Sequence, residues 1–243
     1  MSSPEVRRHE QATLPRVVSA LQRWLGAVAG AVLSPTVRFL GLPDAVAVYS
    51  QMQLWESEIA GLRPELETAA RIGWSEAFGQ PTFSSTSSHV LEALNGSHDF
   101  LMQLPNEVNG MVIREISDGL SAGMSRQEIV DSVERLLMMT GNNTFRNRAQ
   151  VITGTEITRA ANAGALAAAI DAQSTLGPIL KRWNDTGDDQ VRQSHDLADD
   201  TEIPVMQPFV VGGFPLMYPG DPTGPPWEVI ACRCGLSFRR VNG

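Results

Sequence analysis

The sequence predicts an α+β protein: a mainly helical N-terminal region followed by a C-terminal domain of helices and a small β unit. Three observations predict this. Apolar residues recur at intervals of three and four along most of the first 175 positions, the period of an amphipathic helix. At Gly177-Pro178 the pattern changes, and eight of the fifteen prolines lie from Pro178 onward. Between those prolines and glycines stand short extended runs bounded by turn residues, as in a small sheet with long loops.

Residues 1–15 are polar and read as loose. From Val17 to Leu33, the residues Val17, Leu21, Trp24, Leu25 and Val28 keep helical spacing. Ser34-Pro35 and Gly41-Leu42-Pro43 break it. Asp44 then stands at an N-cap position for a helix from Ala45 to about Leu62. Pro64 suits the first turn of another helix running to Phe78. Gly79 to Ser88 is a Ser/Thr/Pro loop, and helical patterns resume over His89–Leu94 and Asn106–Leu120. Ser125 and Glu128 have capping-box spacing, so each side chain can take a backbone donor freed at a helix start. Ile129, Val133, Leu136 and Leu137 form the stripe that follows, and Thr140-Gly141-Asn142 ends it. From Thr144 to Gln173 the chain is alanine-rich, which favours helix and close packing of neighbours. Glu156 and Arg159 lie three apart on that helix and can pair. The expected strands are Ile179–Asn184, Pro208–Val211, Phe214–Tyr218 and Glu228–Phe238. Alternation along the last would turn Cys232 and Cys234 to the apolar face, with Arg233 away from it or toward a carboxylate.

A chain of 243 residues with 42% hydrophobic and 19% charged residues can bury a real core. Its net charge of −8 argues against a surface built throughout to wrap nucleic acid. Local basic groups exist: Arg7, Arg8, Arg16 and Arg23 near the start, Arg233, Arg239 and Arg240 near the end. Their plainer reading is solvated termini. The apolar run Trp24–Leu33 follows arginines, as in a signal peptide. Gly26 and Gly30 interrupt the run, and Glu5 and Glu10 dilute the basic segment, so a signal is the minor reading. No segment is long enough to span a membrane. The two cysteines, Cys232 and Cys234, would lie roughly 6.6 Å apart in a strand, a poor separation for a disulfide. Reduced thiols in a reducing compartment are expected.

Side chains able to do chemistry are dense only between Trp183 and Cys234. His195, Cys232 and Cys234 are three candidate zinc ligands, with Asp188, Asp196 or Asp199 as a fourth. The competing reading is a pair of buried thiols beside a hydrogen-bonded imidazole, since zinc sites usually show two ligand pairs and here there is one. Asp188, Asp189 and His195 could hold a divalent metal, and either cysteine with His195 could form a nucleophile–base pair. No phosphate loop, nucleophile elbow or HExxH supports catalysis, and loop aspartates usually make turns. A structural network fits better. Asp188 and Arg192 are four apart and can face each other, with Arg192 as a fork for the carboxylate. Trp183, Phe209, Tyr218 and Trp227 would supply most of the burial of the β unit. Glu156, Arg159, Trp183, Asp188, Arg192 and Arg233 form the expected network, and no residue is assigned as catalytic.

The blocks TEITRAANAG, KRWNDTGDDQVRQSH, PF, YPGDP and CRC, in that order and spacing, resemble the phage Mu F-type minor head proteins of the phage head morphogenesis family. The likeness covers about residues 120–240. It divides the chain into a helical N-terminal region, 1–118, and a head morphogenesis domain, 119–243, with helices to about 175 and the Pro/Gly-rich β unit over 178–243. The family often has glycine five residues after the histidine; Asp200 stands there. The resemblance implies a minor head protein of the virion, assembled in the host cytoplasm and resident in the head interior or at the portal vertex. Its implied partners are the portal protein or major capsid protein, with contact to packaged DNA as a further expectation and no membrane. No cofactor is implied; zinc is the one the residues suggest. The runner-up function is a metal-dependent hydrolase or nuclease using the Asp/His/Cys cluster.

Overall fold

A computed structural model describes residues 3–34, 42–78, 82–138 and 143–241. The architecture is α+β, with helices over the N-terminal part and small antiparallel sheets at the C-terminal end. The helices are α1 (Pro4–Val32), a 3-10 helix (Ala45–Gln51), α2 (Met52–Phe78), α3 (Ser88–Leu101), α4 (Leu104–Ser121), α5 (Arg126–Met138) and α6 (Asn143–Leu176). After them come β1 (Ile179–Asn184), α7 (Gln193–Asp196), β2 (Glu202–Pro204), β3 (Phe209–Val211), β4 (Phe214–Leu216), α8 (Pro226–Val229) and β5 (Gly235–Arg240). Among the described residues no helix is long and apolar enough to cross a membrane.

Two compact units are built from interleaved segments. One comprises Pro15–Leu62 and His98–Gln150. Its centre is a pair of buried indoles, Trp24 and Trp55, with ring centroids 5.0 Å apart. Each buried indole N–H finds a carbonyl, that of Gln51 for Trp24 and that of Leu101 for Trp55. Asp44 caps the 3-10 helix by accepting from the Val46 N–H at 2.9 Å. The capping box opens α5 as its spacing predicts: Glu128 Oε2 accepts from the Ser125 N–H at 2.7 Å, and Ser125 Oγ from the Glu128 N–H at 3.3 Å. The expected stop at Thr140-Gly141-Asn142 lies outside the described residues.

The other unit comprises Met1–Leu14, Arg63–Ser97 and Val151–Gly243. Here α2 and α6 cross at backbone contact. A β-carbon on Gly73 would lie 1.8 Å from the carbonyl oxygen of Ala161, and one on Gly164 would lie 1.9 Å from that of Ala70. Only hydrogen fits at either place. Around the crossing pack Leu66, Ala69, Trp74, Ile157, Ala160 and Ala168. The sheet that follows runs β2-β1-β5, antiparallel throughout, and β3 and β4 form a separate hairpin.

Several expectations need correction. The chain is helical from Pro4, not loose to residue 15, because Val6 is buried in the α2–α6 cluster and the His9 ring bonds the Glu65 carbonyl at 2.8 Å. The helices foreseen on either side of Pro64 are one helix; Trp55, Ile59, Leu62, Leu66 and Ala69 keep a buried stripe running through the proline. The proposed strand Glu228–Phe238 is instead a helical turn, a bend and a later strand. Pro226 starts α8, and Ala231 takes a positive φ of 55°, which no strand tolerates. Strand β2 was not foreseen, since three residues carry too little alternation to read.

Candidate functional site

The residues that point to function meet on one face of α6. Thr155, Arg159 and Asn162 are spaced four and three apart, so they align along an otherwise alanine-rich helix. Each reaches a different part of the C-terminal loops. Thr155 Oγ1 accepts from the Ala231 N–H at 2.9 Å. Arg159, fully buried, donates Nε–H to the Gly220 carbonyl at 2.8 Å and Nη1 to both oxygens of Glu156 at 2.9 Å. Asn162 donates both amide hydrogens, to the Pro219 and Cys234 carbonyls at 3.0 Å each. Burial raises the Glu156 carboxyl pKa, and the adjacent Arg159 charge pulls the other way. On the far side, Asp221 folds its own loop by accepting from the N–H groups of Met217 and Thr223. Gly220, at φ +86°, makes the turn against the Arg159 backbone.

Beside that face lies a sulfur–imidazole cluster. His195 sits on α7, and its ring packs edge-on to Trp183 at 5.4 Å. Its Nδ1 stands 3.4 Å from Cys234 Sγ and 3.7 Å from Cys232 Sγ. Its Nε2 stands 3.2 Å from Glu228 Oε2, which also accepts from Ser194 Oγ at 2.8 Å. His195 is 2% exposed and both cysteines 3%. Both thiols are free. A hydrogen bond between them lowers the Cys232 pKa and, with burial, raises that of Cys234. Arg192 donates to the Ile230 carbonyl, fixing the backbone just before the turn that carries the thiols.

Every block that the sequence sets apart thus contributes to one assembly: the TEITRAANAG helix, the histidine segment, PF through the packing of Phe209 on Trp183, YPGDP and CRC. Comparison with family models gives a match to Phage Mu protein F like protein over residues 111–237, more than half of the chain. The chain belongs to the Phage Mu protein F like family. Comparison with curated proteins and with solved structures gives no match. Membership connects the chain with phage head morphogenesis, and the matched span contains α5, α6 and all of the sulfur–imidazole cluster.

Within this Phage Mu protein F like segment, the pairing expected between Asp188 and Arg192 is absent. Asp188 is held at the surface by Arg233, with two contacts of 2.7 Å, and that hydrogen bonding lowers its pKa. The reason is the turn at Ala231, which throws Arg233 outward while the thiols turn in. Asp188 is therefore committed to Arg233, and it is not in the buried group of His195, Cys232 and Cys234. Asp199 likewise is engaged locally, accepting from the Asp185 N–H at 2.8 Å. Trp183, Phe209 and Tyr218 are buried, but Trp227 is 64% exposed. Helix α8 turns Glu228 and Val229 inward, which leaves the indole outside against Phe214. At Asp200, where the family often has glycine, the backbone is left-handed at φ +59°.

Glu228, Asn162, Thr155, Lys181 and Asp221 were not foreseen as site residues. The signal for Thr155 and Asn162 was present, as a polar stripe at helical spacing on an alanine-rich helix. Lys181 could not be found that way. It lies fully buried in β1 and donates Nζ to the Met217 carbonyl at 2.7 Å, 5.0 Å from the Phe209 ring centroid. Burial pushes its pKa down to about 7, against the pull of Asp221.

Proposed function

We propose that this chain is a minor head protein, bound near the portal or the inner capsid surface, whose C-terminal segment is a stapled structural module and not a catalyst. The observation that supports a structural role is the burial of its reactive groups. His195, Cys232, Cys234, Glu156 and Arg159 are all sealed and engaged with one another or with backbone carbonyls. A hydrolase would need such groups to reach substrate and water. Apolar side chains left exposed on the same unit, among them Leu197, Val210, Phe214 and Trp227, offer contact area for a neighbouring head protein. Portal protein and major capsid protein are the partners this reading names. Contact with packaged DNA would fall to the N-terminal arginines, on a chain whose net charge is −8.

The test is the composition and cross-linking of purified heads. The chain should be found in proheads or virions at fixed copy number, with cross-links from the Val210 and Trp227 surface to portal or major capsid protein. Its absence from both particles would overturn the reading.

A further inference from the structure

We propose that His195 Nδ1 and the thiolates of Cys232 and Cys234 form a zinc site that pins the turn before β5 to helix α7. The inference does not rest on the head-assembly reading, and either can fail alone. The three donor atoms all lie within 4.8 Å of one another. Zinc–nitrogen bonds of about 2.0–2.1 Å and zinc–sulfur bonds of about 2.3 Å, at a tetrahedral angle, hold nitrogen and sulfur roughly 3.6 Å apart. The observed separations from Nδ1 are 3.4 Å and 3.7 Å. Both sulfurs therefore stand at zinc-ligand spacing from Nδ1.

A hydrogen-bonded chain from Cys232 through Cys234 to the imidazole is the competing account. Nδ1 has one lone pair or one proton, and two sulfurs converge on it. A metal ion satisfies all three donors together. The other ring nitrogen points the same way. Nε2 faces the Glu228 carboxylate at 3.2 Å, and Ser194 fixes that carboxylate in turn. With the proton held on Nε2, the lone pair is on Nδ1, facing the thiols. A histidine ligand backed by a carboxylate is the usual outer-shell support of a zinc site. The donor set is soft, two sulfurs and one imidazole, which suits zinc. Charge also balances: Zn²⁺ with two thiolates is neutral, so the site can lie buried beside Trp183. Binding releases two thiol protons to solvent.

The test uses the full chain purified under reductant. Zinc is measured by plasma mass spectrometry, and thiols are titrated on the native protein. The chain is then stripped with chelator and titrated with Co²⁺. Expected are about one zinc per chain, two protected thiols, and sulfur-to-cobalt charge-transfer and tetrahedral d–d bands that saturate at about one equivalent. His195→Gln should weaken the bands, and Cys234→Ser should remove most of the bound metal. If either variant fails to fold, the cobalt spectrum of the unaltered chain decides. That spectrum also decides if zinc content is partial. A cobalt spectrum without charge-transfer bands overturns the site, as does a Cys232–Cys234 disulfide that persists under reductant.

Discussion

The α2–α6 crossing and the segment after Pro178 are stabilised by opposite means. At the crossing, two helices meet backbone to backbone through Gly73, Gly164 and a run of alanines, and van der Waals contact holds them. After Pro178 the elements are three to six residues long, and the core contains Trp183, Phe209, Leu216 and the two cysteines. There, polar side chains from α6 tie loop carbonyls and amides into place. One helix serves both regions. Gly164 and Ala161 face α2, while Thr155, Arg159 and Asn162 face the loops. Side chains are specified by smallness on one side and by hydrogen-bonding capacity on the other.

The strongest way to break the comparison is Gly164→Ala. By helix propensity alone the change should stabilise α6 by roughly 0.5–1 kcal/mol. The added methyl, however, would fall 1.9 Å from the Ala70 carbonyl oxygen, which is backbone and cannot rotate away. Overpacking of this kind costs about 1–3 kcal/mol and sometimes more. The steric cost wins, and a net loss of about 1–2 kcal/mol is expected in urea denaturation. Gly26→Ala on α1 is the control. Nothing lies within 4 Å of its β-carbon position, so only the propensity gain remains. If the two variants are stabilised alike, the crossing is not a close contact.

A second prediction concerns pH and touches only the segment after Pro178. Lys181 has its pKa lowered to about 7 by burial on β1. In the unfolded chain an ordinary lysine holds its proton to a pH of about 10.4. Between those values the unfolded state binds the extra proton. The cost of burying Lys181 is therefore fully present below about pH 7 and is relieved as pH rises. The slope is at most about 1.4 kcal/mol per pH unit. Denaturation of the unaltered chain and of Lys181→Met at about pH 7, 8 and 9 should show the unaltered chain gaining on the variant. Parallel pH curves would show that Lys181 is solvated and that this core is more open than the geometry implies.

How much of this was readable in the sequence differs between the regions for the same physical reason. Helical periodicity and the capping box at Ser125 and Glu128 are local signals, and α4, α5 and α6 are found close to where they point. The ordered blocks identified the family, because their spacing is itself a property of the chain. The path of the chain through 226–235 was not readable. Alternation around the cysteines fits a strand, yet Pro226 and the left-handed Ala231 bend the backbone, and the bonds that hold the bend from outside, Ala231 to Thr155 and Arg192 to Ile230, come from far away in sequence. The same bend decides which arginine Asp188 takes. Spacing of four favoured Arg192, but a surface carboxylate pairs with whichever cation the loops bring near, and that is Arg233. Glu228 was missed for a similar reason. Read as a strand residue it had no role; on α8 it is turned toward His195.

The mildest test of the same contrast is Asp200→Gly. Asp200 ends the turn after α7 in a left-handed conformation, φ +59°, and its N–H donates to the Trp183 carbonyl at 3.0 Å. A residue with a β-carbon pays about 1 kcal/mol or less for that conformation, and aspartate tolerates it better than most. Glycine would remove the strain. It would also remove the exposed pair with Arg182, whose side chains stand 2.8 Å apart in solvent and contribute little. The expected outcome is a gain of about 0.5 kcal/mol, read as a small rise in melting temperature. The hydrogen bond to Trp183 is made by backbone, so it survives the change. A fall in melting temperature would mean that the Asp200 carboxylate itself, and not only the bend it permits, is part of what holds β1 to the histidine segment.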